Sequence, residues 1–355
     1  MGLRYSTLKI FHFPRKLASL PQSTEEIQPP LHIRIKPTNV CCHRCRYCAY
    51  RAPELQLGKD MQQQQYIPRD KMLEIIEDIV AMGVEAVTFS GGGEPFCYPH
   101  LLETAERLAA SPVRFAALTN AARLEGEVAE VFARSASWLR VSMDGWDAES
   151  YARYRGVGLD EFGRVIRNIE RFKTFGGPCY LGISYIVDAD NAPHVREAIE
   201  FAQRLGANSI KISPCIVSDS GEVNNFYHAP LFESVRAQIR AAREASPDPG
   251  FEIYDSYHQL DHDFHKDYSW CPYLQVLPVI GADLRVYSCQ DKAYHPAGAL
   301  GSIEHTCFRE FWMKSKEQFF LINPSRNCGH HCVADAKNRL ILEYLEADRD
   351  HLGFV

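Results

Sequence analysis

Four cysteines, one histidine and two arginines fall within the eight positions Cys41 to Cys48, in the stretch CCHRCRYC. Thiolates are soft ligands that suit zinc or iron-sulfur clusters. Cys41, Cys45 and Cys48 have the spacing C-x3-C-x2-C, and three thiolates on one tight loop can hold three corners of a 4Fe-4S cube, leaving the fourth iron open. Zinc is a second reading, with Cys41, His43, Cys45 and Cys48 as tetrahedral ligands. A redox dithiol is a third, although the stretch is denser than a thioredoxin-like pair requires. Further on, GGGEP at Gly91 to Pro95 would let the backbone approach a ligand without side-chain obstruction. No Gly-Lys-Ser/Thr follows it, so it is not a P-loop. Cys271, Cys289, Cys307, Cys328 and Cys332 form a later set.

The elements that must position these residues are βα units. Between Leu31 and Cys215, short β-like runs (LHIRIKP, EAVTFS, RFAALTN, SWLRVSMD, YLGISYIV, SIKISPC) alternate with longer helical ones, the pattern of a parallel sheet. In RDKMLEIIEDIVAMG, Met72, Ile75, Ile76 and Ile79 recur at helical spacing and Gly83 marks the stop. Six units are too few for a closed eight-stranded barrel, leaving an incomplete parallel barrel or an open doubly wound sheet. Both bind ligands at the C-terminal strand ends, which is where the cysteine loop, SGGGEP, TN, SMDG and SPC fall. LQLGKDMQQQQYIP and SDSGEVNNFYHAP read as loops over that mouth. The expected organisation is an N-terminal extension at 1–30, a core at 31–225, a linker at 226–266 with a helix near Leu231 to Glu244, and a cysteine-bearing region at 267–355.

The C-x3-C-x2-C motif with Tyr47 before its last cysteine, followed by GGGEP after a strand ending VTFS, resembles the radical S-adenosylmethionine (SAM) superfamily. The resemblance implies an α/β fold, an incomplete (β/α)6 TIM-like barrel. It implies that Cys41, Cys45 and Cys48 ligate a 4Fe-4S cluster whose open iron chelates SAM. Reductive cleavage of SAM would then give a 5'-deoxyadenosyl radical that abstracts a substrate hydrogen, with a flavodoxin- or ferredoxin-type protein as electron donor. Gly92, Gly93, Glu94 and Pro95 would meet the amino group of SAM, and Tyr47 the adenine. Asn120, Ser142, Asp144 and Ser184 occupy strand positions that contact SAM in the family, although Ser, Asp and Asn also serve ordinary turns. Cys42 in place of Cys41 would give a less family-like spacing.

WCPYLQVLPVIGADLRVYSCQD and NCGHHC resemble the SPASM and twitch extensions of such enzymes. The resemblance implies a β-hairpin turning at Gly281 to Asp283 and one auxiliary 4Fe-4S cluster on Cys271, Cys289, Cys328 and Cys332. The sequence departs from the pattern in the position of the glycine and in the C-x3-C of the final pair. Cys307 is an alternative ligand, and Cys328, His330, His331 and Cys332 could instead form a zinc site. His258, Asp261, His262, Asp263 and His265 read as a solvated linker.

A formal net charge of -6 argues against a general nucleic-acid partner. No secretory signal or membrane-length apolar run is readable, and twelve cysteines, bunched at 41–48 and 328–332, fit metal binding in the cytoplasm better than a disulfide scaffold. The leading functional expectation is dehydrogenation or epimerisation of a small polar metabolite: a sugar, aminoglycoside or sugar nucleotide. Epimerisation needs a hydrogen donor, for which Cys97 and Cys215 are candidates. Modification of a ribosomally made peptide is the alternative; the stretch before the first strand is short for a winged-helix leader-binding domain. From another class, a non-catalytic iron-sulfur electron carrier would not need the glycine motif.

Overall fold

The structure is a computed structural model describing residues 4–246, 248–260 and 264–354. The runs read as strands become β1 (His32–Ile35), β2 (Ala86–Phe89), β3 (Arg114–Thr119), β4 (Trp138–Ser142), β5 (Tyr180–Val187) and β6 (Ser209–Pro214). They pair in chain order, all parallel. A seventh parallel strand, β7 (Glu252–Asp255), extends the sheet beyond β6. It lies in the stretch read as a linker, where four half-buried residues give too short an alternation to register as a strand.

On the other side of β1 the sheet continues through β8 (Val279–Ile280), parallel to β1, then β9 (Arg285–Tyr287) and β10 (Ala299–Ser302), both antiparallel to their neighbours. The hairpin thus forms as expected, with Gly281 N–H donating to Arg285 O at 2.9 Å. β7 and β10 are the two edges of the ten-stranded sheet, so it does not close.

Alternation decides which side chains face the interior. Leu139 and Val141 of β4 are fully buried and belong to the core with Phe132, Val165 and Ile169 from the covering helices. Trp138, Arg140 and Ser142 alternate with them and stay half-buried on the other face. The helix Arg69–Met82 buries the expected Met72, Ile75, Ile76 and Ile79 and ends at Gly83, whose φ of 73° lets its N–H reach Ile79 O and Val80 O. Each such aliphatic side chain contributes about 1.5–3 kcal/mol by leaving water.

The two mouth segments differ. Leu55 to Pro68 contains no helix, and is tied down by a bridge between Thr38 and Tyr66 and by Asp60 N–H to Tyr294 O at 3.0 Å. The stretch SDSGEVNNFYHAP, read as a loop, carries the helix Gly221–His228 instead. Ser220 caps it through Val223 N–H, and Asn224 accepts from Val217 N–H at 3.0 Å; the Ser, Gly and Asn that suggested a loop are its cap and first turn. The segments touch where Gln56 N–H donates to Asp219 at 2.7 Å.

The N-terminal extension clasps the C-terminal region. Ile10, Leu17 and Leu20 pack with Val276 and Ile341, while fully buried Trp312 donates from its indole to Gln28 O at 3.1 Å. Trp312→Ala removes both the ring and that bond, and is expected to cost about 3–5 kcal/mol in urea unfolding; a loss under about 1 kcal/mol would show the clasp to be dispensable.

Candidate active site

The loop carrying Cys41, Cys45 and Cys48 has no regular structure of its own and is held from three sides. Gly93 N–H donates to Thr38 O at 3.0 Å and Glu94 N–H to Val40 O at 2.9 Å. A Cβ on Gly92 would stand 2.1 Å from Asn39 Oδ1, and one on Gly93 2.1 Å from Val40 O, so this approach requires glycine. From the second side, Arg44 N–H donates to Arg155 O at 2.8 Å and Arg46 N–H to Tyr154 O at 3.1 Å. These carbonyls end the helix Ala148–Arg155, which stops at Gly156 with φ 62°. On the third side, Arg46 lies 4.0 Å over the Tyr154 ring and pairs with Asp188 and Asp190.

Beneath the loop lies an enclosed ion pair. Asp144 is fully buried and Arg155 nearly so; Arg155 Nη2 and Tyr47 OH both donate to Asp144 Oδ2, and Ile186 N–H donates to Oδ1 at 2.7 Å. The other face of the guanidinium sets Nη1 3.5 Å from Cys45 Sγ. Burial pushes the Cys41 thiol up to about 12 and raises Cys48 as well, so these groups stay neutral until a metal ionises them. Asn39 Oδ1, His43 Nδ1, Ser90 Oγ and Arg155 Nε are buried around the loop without a partner. Three thiols, a guanidinium N–H donated to one of them and a second guanidinium N–H without a partner fit a group that presents iron to the thiols and sulfur to the donors. Among the described residues no three His, Cys, Asp or Glu side chains stand as ligands of one metal ion.

The glycine motif continues into Glu94, whose carboxylate accepts from Thr119 Oγ1 at 2.6 Å, Asn120 N–H at 2.7 Å and Phe96 N–H at 3.1 Å. Pro95 is buried and opens the short turn Pro95–Cys97. Glu94 and Asp144, read from sequence as contacts to SAM, have their oxygens bonded to protein donors from both side chains and backbone. Tyr47, expected against adenine, has its hydroxyl on Asp144. Asn120 Nδ2 reaches Cys42 Sγ at 3.4 Å. A hydrogen bond from the Cys97 thiol is the main reason the Cys42 thiol is lowered, with Asn120 assisting. Ser142 and Ser184 are register partners on the inner face. Cys215 is buried at the end of β6, with its pKa raised to about 12 by burial.

Cys271, Cys289, Cys328 and Cys332 lie near enough for their charges to bear on one another. Burial first, then the charges of Cys271 and Cys328 together with Asp291, raises the Cys289 thiol, and Cys332 is raised by burial with Asp291, Cys289 and Cys271. Asn338 Nδ2 lies 3.3 Å from Cys271 Sγ. Cys307 stands apart, beside Asp78 and Glu310. His330 is buried, and that burial lowers it to about 3. His258, in the stretch read as a solvated linker, is packed instead between Asp255 at 2.6 Å and Phe232 O at 3.0 Å; Asp261, His262 and Asp263 lie outside the described residues.

The two cysteine sets sit at opposite ends of the strands. The first follows the C-terminal end of β1; in the second, Cys271 precedes β8, which is parallel to β1, and Cys289 follows β9, which runs antiparallel to β8 and hence to β1. Between them, fully buried Lys36 donates to Tyr50 OH, Gly91 O and, at 3.0 Å, Gln290 Oε1, to which Arg34 Nη1 also donates at 2.8 Å. Sequence reasoning missed Lys36, Tyr50, Arg155 and Gln290. A signal existed for the first: His32, Arg34 and Lys36 alternate with Ile33 and Ile35, which puts the basic residues on the inner face.

The family model described as Radical SAM superfamily matches residues 35–202. The chain is 29% identical over 175 residues to a GTP 3',8-cyclase of Synechococcus elongatus, covering 48% of this chain and 51% of that protein. It is 30% identical over 112 residues to the S-adenosylmethionine-dependent nucleotide dehydratase of Lacinutrix mariniflava, 31% of this chain and 22% of that one. The chain spans about half the length of the curated relatives it matches. In fold it is similar to Streptococcus suis SuiB bound to the precursor peptide SuiA, with a TM-score of 0.61 at 16% identity, covering 88% of this chain and 71% of that chain. It is also similar to anSMEcpe with bound AdoMet, with a TM-score of 0.62 at 16% identity, covering 86% and 89%. Those coverages extend past residue 202 into the C-terminal region.

Two substitutions test the supports. Asp144→Asn leaves Arg155 enclosed without its counter-charge and is expected to cost about 3–5 kcal/mol in urea unfolding; an effect under about 1 kcal/mol would remove the pair as a support. Burial pushes the Glu94 carboxyl up to about 7 from 4.5. With the folded pKa above the unfolded one, the stabilisation it contributes is full below pH 4.5 and is lost as pH rises through about 7. Glu94→Gln should therefore gain on the wild type by roughly 3 kcal/mol across that range, at about 1.4 kcal/mol per pH unit separating the two pKa values. Parallel pH profiles of unfolding free energy would show the carboxyl to be ionised throughout.

Proposed function

We propose, from the match of residues 35–202 to the Radical SAM superfamily model, that this chain is a radical SAM enzyme that removes hydrogen from a small polar metabolite for dehydrogenation or epimerisation. A 4Fe-4S cluster with SAM supplies, when bound, the reductive cleavage that yields a hydrogen-abstracting carbon radical. In this reading Cys41, Cys45 and Cys48 hold that cluster, and Arg155 and the glycine contacts fix the loop that presents them. Cys271, Cys289, Cys328 and Cys332 hold an auxiliary cluster.

The observation that carries the reading is the polar interior lying between the two cysteine sets, crossed by Tyr50, Lys36 and Gln290. A substrate there would have a hydrogen-abstracting centre at one end and an electron acceptor at the other, the order that dehydrogenation needs. For epimerisation, Cys215 at the mouth is the better placed thiol donor, since the Cys97 thiol is engaged in a hydrogen bond with Cys42. Relatives named for GTP and for a nucleotide substrate support a small metabolite. The likeness to proteins solved with peptides is one of fold and carries no substrate.

Iron, sulfide and zinc analysis of anaerobically reconstituted protein, beside a Cys41/Cys45/Cys48→Ala variant, tests the assignment. About eight irons falling to about four is expected, with 5'-deoxyadenosine formation from SAM abolished. About four falling to none would overturn the auxiliary cluster, and stoichiometric zinc at either set would overturn that set's role.

A further inference from the structure

The inner face of the sheet gathers cations that have neutral hydrogen-bond partners but, among the described residues, no ion pair: Arg34 Nη1 donates to Gln290 Oε1 at 2.8 Å and Arg140 Nη2 to Tyr5 OH. Arg34 from β1, Arg140 from β4 and Lys211 from β6 alternate with buried core residues on both sides, so all three point inward. Gly182, between β4 and β6, leaves room for one of them: a Cβ there would stand 3.7 Å from Arg140 Nε and 3.0 Å from Ser209 Oγ. Arg140 lies 5.4 Å from the Tyr5 and Trp138 ring centres, and Lys211 5.7 Å from that of Tyr254. Tyr5 and Tyr254 are themselves stacked at 4.0 Å, forming an aromatic floor under the cations.

No carboxylate among the described residues lies within ion-pairing distance of Arg34, Arg140 or Lys211. Asp291 acts on Arg34 and Lys36, and it belongs to the cysteine end. The charged groups that bear on Lys211 are cations: after burial, Arg140, Arg34 and Lys337 bring it down to about 8. Like charges crowded in a half-buried interior repel at considerable cost unless an anion joins them.

We propose that the substrate is a phosphorylated metabolite whose phosphate docks on Arg34, Arg140 and Lys211 in the barrel interior. This rests on the function just proposed and narrows its substrate class. Three cations from three separate strands suit an anion carrying two or more charges in a tetrahedral arrangement better than a planar carboxylate, which one Arg fork satisfies. A cationic aminoglycoside is disfavoured by the same field.

Isothermal titration of the anaerobically reconstituted holoprotein tests this with pyrophosphate, phosphate, succinate and a cationic aminoglycoside as probes. Pyrophosphate or phosphate should bind at least about tenfold more tightly than succinate, and should weaken about tenfold or more in both Arg140→Gln and Lys211→Gln. Preference for pyrophosphate would indicate a nucleotide-type diphosphate, preference for phosphate a sugar phosphate; both agree with the proposal. Lys211→Arg retains the charge and should stay within about threefold of the wild type. If Lys211→Gln does not fold, Arg140→Gln and the wild-type probe series decide. Absence of phosphate and pyrophosphate binding, affinity unchanged in the variants, succinate bound equally well, or preference for the aminoglycoside would each overturn it. 5'-Deoxyadenosine formation by the reduced wild type separates the two claims. If it persists without phosphate binding, the enzyme reading stands and this inference fails; if it is absent with clusters in place, the enzyme reading fails.

Discussion

The enclosed pair of Asp144 and Arg155 is the contact on which the candidate site depends. An irregular loop cannot aim three thiols at one place by its own hydrogen bonds, because it closes too few of them. Arg155 supplies what the loop lacks, through a carbonyl to Arg44 N–H and a guanidinium beside Cys45. Asp144 makes that guanidinium tolerable in the interior and takes the Tyr47 hydroxyl as well. A buried pair of this kind adds little net stability, but losing one partner is costly. Its value here is to fix a geometry.

Glycine does comparable work by absence. The chain at Asn39 and Val40 lies where the side chains of residues 92 and 93 would be. The end of β2 and the start of the cysteine loop therefore share one volume. Glu94 extends this contact to Thr119 and Asn120 at the end of β3. The ends of the first four strands, through Asp144 after β4, are in this way locked to a single loop.

The interior of the sheet obeys a different constraint. Its outer face is covered by amphipathic helices and filled with aliphatic side chains, while its inner face is lined by Arg34, Lys36, Arg140 and Lys211. An enclosed cation costs more to bury than an aliphatic side chain at the same position, so this lining is the less stable of the two faces. The network of Lys36, Tyr50 and Gln290 also makes the C-terminal hairpin part of the wall, and the sheet runs without a break from β10 through β1 to β7.

Much of this was written locally in the chain. The spacing of Cys41, Cys45 and Cys48, the Gly92 and Gly93 pair, the six strand runs and the hairpin turning at Gly281 to Asp283 all depend on residues near one another in sequence, whose propensities and periods are readable directly. β7 was missed because four residues carry too little alternation, and the helix at Gly221 because its cap and first turn use loop-forming residues. The partners of the site came from the tertiary structure alone. Arg155 is over a hundred positions from Cys45, and Gln290 over two hundred from Lys36; only the order and curl of the strands bring them together. The sequence determined which residues can ligate and which can form elements, since those are properties of side chains and short segments. Burial and strand order decided which charges face one another, because an enclosed contact is set by the shape of the whole sheet.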